Sequence, residues 1–384
     1  MAQTSQPALW ALMFGNLVIG TGVLLPAGLL TAIMADVGVP AARAGLLMTV
    51  GGLVVGFGAP LLAGFTSRID RRFLLVFALG LYVVGHIGAV TTGDFTLLLV
   101  YRALTVAGAA IFTPQAAATV GLLVPAERRG GAIAFIFIGW SLASVVGIPL
   151  GSVLGQALGW RETYLLMAAL SAVGAVTVWA VLPGGLKVQP LALASWVRVL
   201  TDLRLLVVLA VTMFSMSGQF TLFTYISPVL SGTYGLAPQP IALVFLAVGI
   251  AGVAGNYIAS RAAGSFGVER GILLALACVG GGLALIWAGW GLVWAFVAGG
   301  CLWGVGGFAA NSLQQSRLVA LAPALASATV ALNTSAVYLG QSLGSATGAA
   351  LIADGAGPEM PLAGAVFGLA AMACSVLAQR MRPS

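Results

Sequence analysis

Apolar runs of about 20 residues recur from one end of this chain to the other, each closed by Gly, Pro or charged residues. That is the length a helix needs to cross the hydrocarbon core of a bilayer. Inside lipid every backbone N–H and C=O must find its partner within the protein, so only helices and closed barrels span. The runs are far too long for barrel strands and lack apolar-polar alternation, which excludes the barrel. Charge is scarce: 7% of the 384 residues are Asp, Glu, Lys or Arg, against 60% hydrophobic. Soluble chains carry about a quarter. The fold class expected is an all-α, multi-pass membrane protein.

Reading from breaker to breaker gives twelve spans. They lie near 8–34, 44–66, 73–91, 95–120, 131–157 and 162–182, then 204–230, 239–260, 271–288, 291–316, 326–352 and 361–380. With the N-terminus in the cytoplasm, one set of loops carries Arg68, Arg71, Arg72, Arg128, Arg129, Lys187, Arg198, Arg204, Arg261, Arg270, Arg317, Arg380 and Arg382. The opposite face keeps only Arg43 and Arg161, so the positive-inside rule sets both termini in the cytoplasm. The longest polar connection, 183–203, falls mid-chain and divides the sequence into a six-span bundle (1–182), a cytoplasmic linker and a second six-span bundle (204–384). "FTPQAAATVGLLVPA" (112–126) and "FAANSLQQSRLVALAPA" (308–324) occupy equivalent spans and support an internal repeat. Two such halves are a transporter architecture with substrate bound near the midplane.

Several function classes fall away. The net charge of +7 comes from basic residues scattered between apolar runs, which does not suggest nucleic acid. Cys278, Cys301 and Cys374 are far apart in apolar segments, without disulfide or metal spacing. No metal cluster, phosphate loop or cofactor motif is present. The first run, from Leu9, is too long for a signal peptide and lacks a positive flank. "GQSLG" (340–344) matches a nucleophile-elbow pattern but lies in a run of small residues, which reads as helix packing. An enzyme is not expected.

The charges that remain are informative. "GFTSRIDRR" (64–72) sets Arg68, Asp70, Arg71 and Arg72 in five positions, and at minimum anchors a cytoplasmic loop. Arg102 is a fixed charge deep in span four, which requires a partner or a cavity. His86 lies at similar depth in span three and reads either as a packed neutral ring or as a proton-sensitive group. Asp36 and Asp94 sit at the outer face, and no carboxylate sits at mid-membrane. Gly147, Gly151, Gly155 and Gly159 recur every four residues, with Pro149 between the first two, making a smooth and bent helix face.

These stretches resemble the major facilitator superfamily, and within it the twelve-span drug/proton antiporter-like exporters. "GFTSRIDRR" is similar to the family's loop between spans two and three, with Asp70 where Gly is usual. "LLLVYRALTVAGAA" (97–110) is similar to the span-four motif with its intramembrane Arg, and "GIPLGSVLGQALGWR" (147–161) to the span-five antiporter motif. The nearest subgroup is the bacterial exporters of chloramphenicol, sugars and nucleosides. The resemblance implies that Gly64, Arg68, Asp70, Arg71 and Arg72 form a gate latch, with Glu127 or helix C-termini as partners. It implies that Gly147, Pro149, Gly151 and Gly155 form a moving seam. Spans one, four, seven and ten would line the cavity through Asn16, Thr21, Arg102, Thr105, Thr113, Gln115, Gln219, Tyr225, Trp303, Asn311 and Gln315, with Asn333, Tyr338 and Gln341 as second choices. Many relatives carry an acid in span one, where this chain reads Gly20-Thr21-Gly22-Val23, so lipophilic cations are disfavoured as substrates. Coupling would fall to Asp36, His86, Asp94 or Arg102. The expectation is a monomeric efflux transporter of the bacterial inner membrane, with a small neutral or weakly anionic substrate, the lipid bilayer and protons as partners. A uniporter or importer of a small polar metabolite is the alternative, and a non-transporting receptor or intramembrane enzyme the weakest one.

Overall fold

The computed structural model describes residues 5–66, 68–187 and 193–381, and all regular structure among them is helical. The first half contains α1 (Ser5–Val37), α2 (Ala41–Ala44), α3 (Leu46–Phe65), α4 (Arg71–Thr91), α5 (Phe95–Leu123), α6 (Ala126–Leu142), α7 (Ile148–Ala157) and α8 (Trp160–Val181). A π-helical segment, Ala143–Gly147, joins α6 to α7. The linker carries α9 (Leu193–Thr201). The second half contains α10 (Leu203–Phe223), α11 (Ile226–Gly232), α12 (Pro238–Phe266), α13 (Val268–Ala288), α14 (Val293–Leu321), α15 (Ala326–Ala353) and α16 (Glu359–Arg380).

Eleven helical stretches among the described residues are long and apolar enough to cross a membrane. α15 is the remaining long helix. Its 28 residues, at about 1.5 Å each, exceed the ~30 Å hydrocarbon core. Its Ser, Thr, Asn and Gly content makes it less apolar than the others. With α15 counted, the twelve spans read from the sequence are present, and their ends differ by a few residues.

The breakers act through known chemistry. Asp70, Asp94 and Asp202 are N-caps: their carboxylates accept from Arg72 N (2.9 Å), Leu97 N (2.8 Å) and Arg204 N (2.9 Å), backbone donors that a helix start leaves unpaired. The short "AGWG" break holds because Gly291 adopts φ 90°, in the left-handed region that favours glycine. Pro149 has no N–H to give its own helix, and the π segment lies immediately before it.

Two compact units emerge, Met1–Val39 with Phe57–Pro190 and Pro40–Gly56 with Leu191–Ser384, so α3 is shared. In the first, α4 packs against α5 and α8, while α1 packs against α6, α7 and α8. In the second, α14 lies against α12 and α13, and α10 against α15 and α16. Small residues permit this closeness. A Cβ at Gly344 of α15 would lie 2.9 Å from Thr221 N of α10. "GQSLG" is therefore a packing seam, and Ser342 spends its hydroxyl on Thr49 O at 2.9 Å.

Candidate functional site

In the first unit Arg102 is buried and reaches α1. Its Nη1 donates to Gly22 O at 2.8 Å and its Nη2 to Val23 O at 2.6 Å. Val23 is apolar, and at this turn of α1 the guanidinium is met by main-chain carbonyls. His86 is packed between Tyr82 and Tyr164, with ring centroids 5.2 and 5.1 Å away. Its Nδ1 lies 2.8 Å from Tyr82 O, so that nitrogen carries the proton and the carbonyl accepts it. Tyr82 in turn donates to Ile19 O at 2.9 Å.

About three turns further along α5 an uncharged chain of side chains links three helices. Asn16 of α1 donates to Ile136 O (3.1 Å) and accepts from Thr113 of α5 (3.1 Å), whose hydroxyl accepts from Trp140 of α6 (3.3 Å). Trp140 was not anticipated from the sequence. Thr21 lies beside the glycine face, where a Cβ at Gly147 would come within 2.5 Å of its hydroxyl. Gly151 and Gly155 meet Leu25 and Leu29 on the same stripe of α1, so this face packs within the first unit. Thr105 is buried between α4 and α5 and donates to Tyr101 O at 2.8 Å.

The loop motif divides its labour. Asp70 caps α4 and accepts from Gly185 N of the linker, and Arg71 N donates to Leu186 O at 2.9 Å. Arg71 is buried and its guanidinium hydrogen-bonds Gln115, which makes Gln115 a structural partner of that arginine. Arg72 lies over the Trp179 ring, 4.1 Å from its centroid. Arg68 is exposed, and a Cβ at Gly64 would meet open space. Glu127 is exposed and forms no ion pair with Arg68 or Arg72 among the described residues.

Asp36 and Asp94 lie at helix ends. Asp36 pairs with Arg161 and accepts from Trp160 Nε1 at 3.0 Å. The rest of the Arg161 head donates to Val90 O and Thr92 O, which clasps the ends of α1, α4 and α8 together. Asp94 caps α5.

The second unit has its own polar clusters. Gln219 of α10 accepts from Trp303 Nε1 of α14 at 2.9 Å, and Phe223 meets both Trp303 and Phe245 edge-on. Asn333 of α15 accepts from Thr212 at 2.7 Å and donates to Asn311 at 3.5 Å. Gln341 is buried, and its Nε2 has no hydrogen-bond partner among the described residues. Tyr225 is a helix-break residue: its hydroxyl donates to Ser345 O at 2.9 Å, and Gly45 leaves room for its ring. Tyr338 presents its carbonyl to Gly52, where a Cβ would lie 2.5 Å from it.

Gln315 is half-buried, and its neighbour Gln314 is buried and donates to Val208 O at 2.9 Å. One reading is corrected. Arg317, taken from the sequence as a loop charge, lies inside α14 and is 3% exposed. Its Nε sits 2.9 Å from Glu269, an ion pair without a well-aimed hydrogen bond, and its Nη1 donates to Ser375 at 3.2 Å.

The fold and these clusters can be set beside known proteins. The family model of the Major Facilitator Superfamily matches residues 12–345. The chain belongs to the Major Facilitator Superfamily. It is 30% identical over 379 residues to the inner membrane transport protein YdhP of Escherichia coli O157:H7, covering 98% of this chain and 96% of that protein. It is 28% identical over 342 residues to a probable sugar efflux transporter of Helicobacter acinonychis, covering 87% and 85% of the two chains. Its match to the MFS-type transporter YtbD of Bacillus subtilis is 31% identical and spans 66% of this chain and 65% of that protein. The fold is shared with a D-xylose-proton symporter (TM-score 0.77, 16% identity, 98% of each chain). It is shared equally with a bacterial homolog of the human lysosomal transporter Spinster in an inward-facing, unoccupied state (TM-score 0.77, 15% identity, 98% of each chain).

Within this superfamily member, membrane-embedded polarity is mostly neutral. All nine Asp and Glu residues lie in the first or last turn of a helix or outside helices. Amides, hydroxyls and indoles supply much of the remaining side-chain bonding, beside the buried guanidiniums of Arg71, Arg102 and Arg317.

Proposed function

We propose that this chain is a secondary transporter that moves a small neutral or weakly anionic molecule of the drug, sugar or nucleoside class out of the cell by alternating access. The observation that carries this reading is the set of uncharged clusters, Asn16–Thr113–Trp140 in the first unit and Gln219–Trp303 with Asn311–Asn333 in the second. The buried Gln341 donor adds to it, since an unmet buried donor costs about 1–3 kcal/mol and is suited to an incoming acceptor. Relatives named as sugar efflux transporters support the outward direction. The positive-inside count supports cytoplasmic termini, and the similarity to an inner membrane transport protein supports a bacterial inner membrane.

The test is counterflow in proteoliposomes with phenicols, sugars, nucleosides and a lipophilic cation, with and without a pH gradient. Uptake of a neutral polyol-like or phenicol substrate, and none of a lipophilic cation, is the expected result. Preferential movement of cations would overturn it. A second reading, facilitated diffusion, is favoured by the lack of a mid-membrane carboxylate. It predicts fluxes indifferent to the proton gradient.

A further inference from the structure

In an α-helix the N–H of each residue donates to the carbonyl four positions earlier. Pro26, inside α1, has no N–H, so the Gly22 carbonyl loses its donor within the helix, and the proline ring crowds that same carbonyl. In hydrocarbon the vacancy has to be filled by another part of the protein. Arg102 fills it from α5, at 2.8 Å to Gly22 O, and its second arm takes Val23 O at 2.6 Å. The surroundings are built for this approach. Gly22 carries no side chain, and a Cβ there would lie 2.7 Å from the Tyr82 ring and 3.4 Å from His86. Tyr82 takes Ile19 O on the same helix. Three carbonyls of α1 around the proline are thus bonded from α4 and α5.

We infer that Arg102 is a positioning residue, an internal guanidinium cap for the turn of α1 from which Pro26 removes a hydrogen bond, and that it fixes the course of α1 there. Its effect on transport rests on the function proposed above; its effect on α1 does not. Two positively charged N–H arms on adjacent carbonyls fix direction as well as position, which a single neutral donor cannot do. Asn16 and Thr21 lie one to three turns from Pro26 on the same helix, so the geometry of that turn decides where they point.

The inference makes Arg102 and Pro26 energetically coupled, and a double-mutant cycle reads that coupling. Thermal unfolding of purified protein is measured for wild type, Arg102→Ala, Pro26→Ala and the double variant. Pro26→Ala restores an N–H for the Gly22 carbonyl, so the drop in unfolding temperature caused by Arg102→Ala shrinks to less than half in that background. Equal drops in both backgrounds overturn the inference. If Arg102→Ala does not fold, Arg102→Lys, which keeps one donor, is taken through the same cycle. In proteoliposomes Arg102→Ala lowers transport on the order of tenfold, the equivalent of one charge-assisted bond, and Pro26→Ala restores it with pH profile and substrate charge preference unchanged. A shifted pH profile or charge preference that Pro26→Ala does not correct means that Arg102 meets substrate or proton directly, and the inference fails. A wild type that moves nothing in the panel refutes the transport reading, while the unfolding cycle still decides the role of Arg102.

Discussion

Arg71 and Arg317 are both buried, yet the company they keep differs. Arg71 bonds a neutral Gln115, whereas Arg317 sits beside Glu269 and Ser375. A buried guanidinium that loses an acceptor pays the desolvation cost without its return. Gln115→Leu should therefore destabilise the protein by about 1–3 kcal/mol, seen as a lower unfolding temperature in detergent. Arg68 is exposed and should behave in the opposite way. Arg68→Ala should leave unfolding unchanged and lower transport if the loop motif latches a gate; transport at the wild-type rate would leave Arg68 as a topology signal alone. Residue types at these places were legible in the chain, but their partners were not. Glu127 or helix C-termini were the partners expected for the motif, and the contacts of its residues include Gln115, Trp179 and Gly185.

Helices in lipid gain nothing from burying more hydrocarbon, so close backbone approach and polar bonds hold them together. α10 and α15 show this most directly. Gly340 and Gly344 bring the two backbones together, with would-be Cβ atoms 2.8 Å from Met216 Cβ and 2.9 Å from Ser217 C. Gly344→Val must push α15 away and should cost about 1–3 kcal/mol or abolish folded protein, measured by unfolding and by yield in the membrane. Gly80 of α4 is the control, because a Cβ there meets nothing within 4 Å. Gly80→Ala should be neutral or slightly stabilising, since alanine is the better helix former. The span-five stripe illustrates what spacing leaves open. Its four-residue period announced a smooth face, but only the packing shows that the face meets Thr21, Leu25 and Leu29 of α1.

At the level of the whole molecule, the orientation proposed above rests on where the positive loops are. Single cysteines placed at Lys187 and at Gly357 should label from opposite sides, Lys187→Cys from the cytoplasm and Gly357→Cys from outside. Labelling of both from one side would refute the orientation. Class, span number and family were settled by the amino-acid sequence alone, because each rests on a property of a run of residues: its length, its hydropathy, its bounding charges. The particular bonds were decided only by tertiary structure. A step of one residue along a helix turns a side chain by about 100°, so neighbouring glutamines such as Gln314 and Gln315 look alike in sequence but face different surroundings. Likewise Pro26 declares that a carbonyl will need a donor, yet the residue that supplies it is 80 positions away from Gly22 and is placed there only by the packing of α5 on α1.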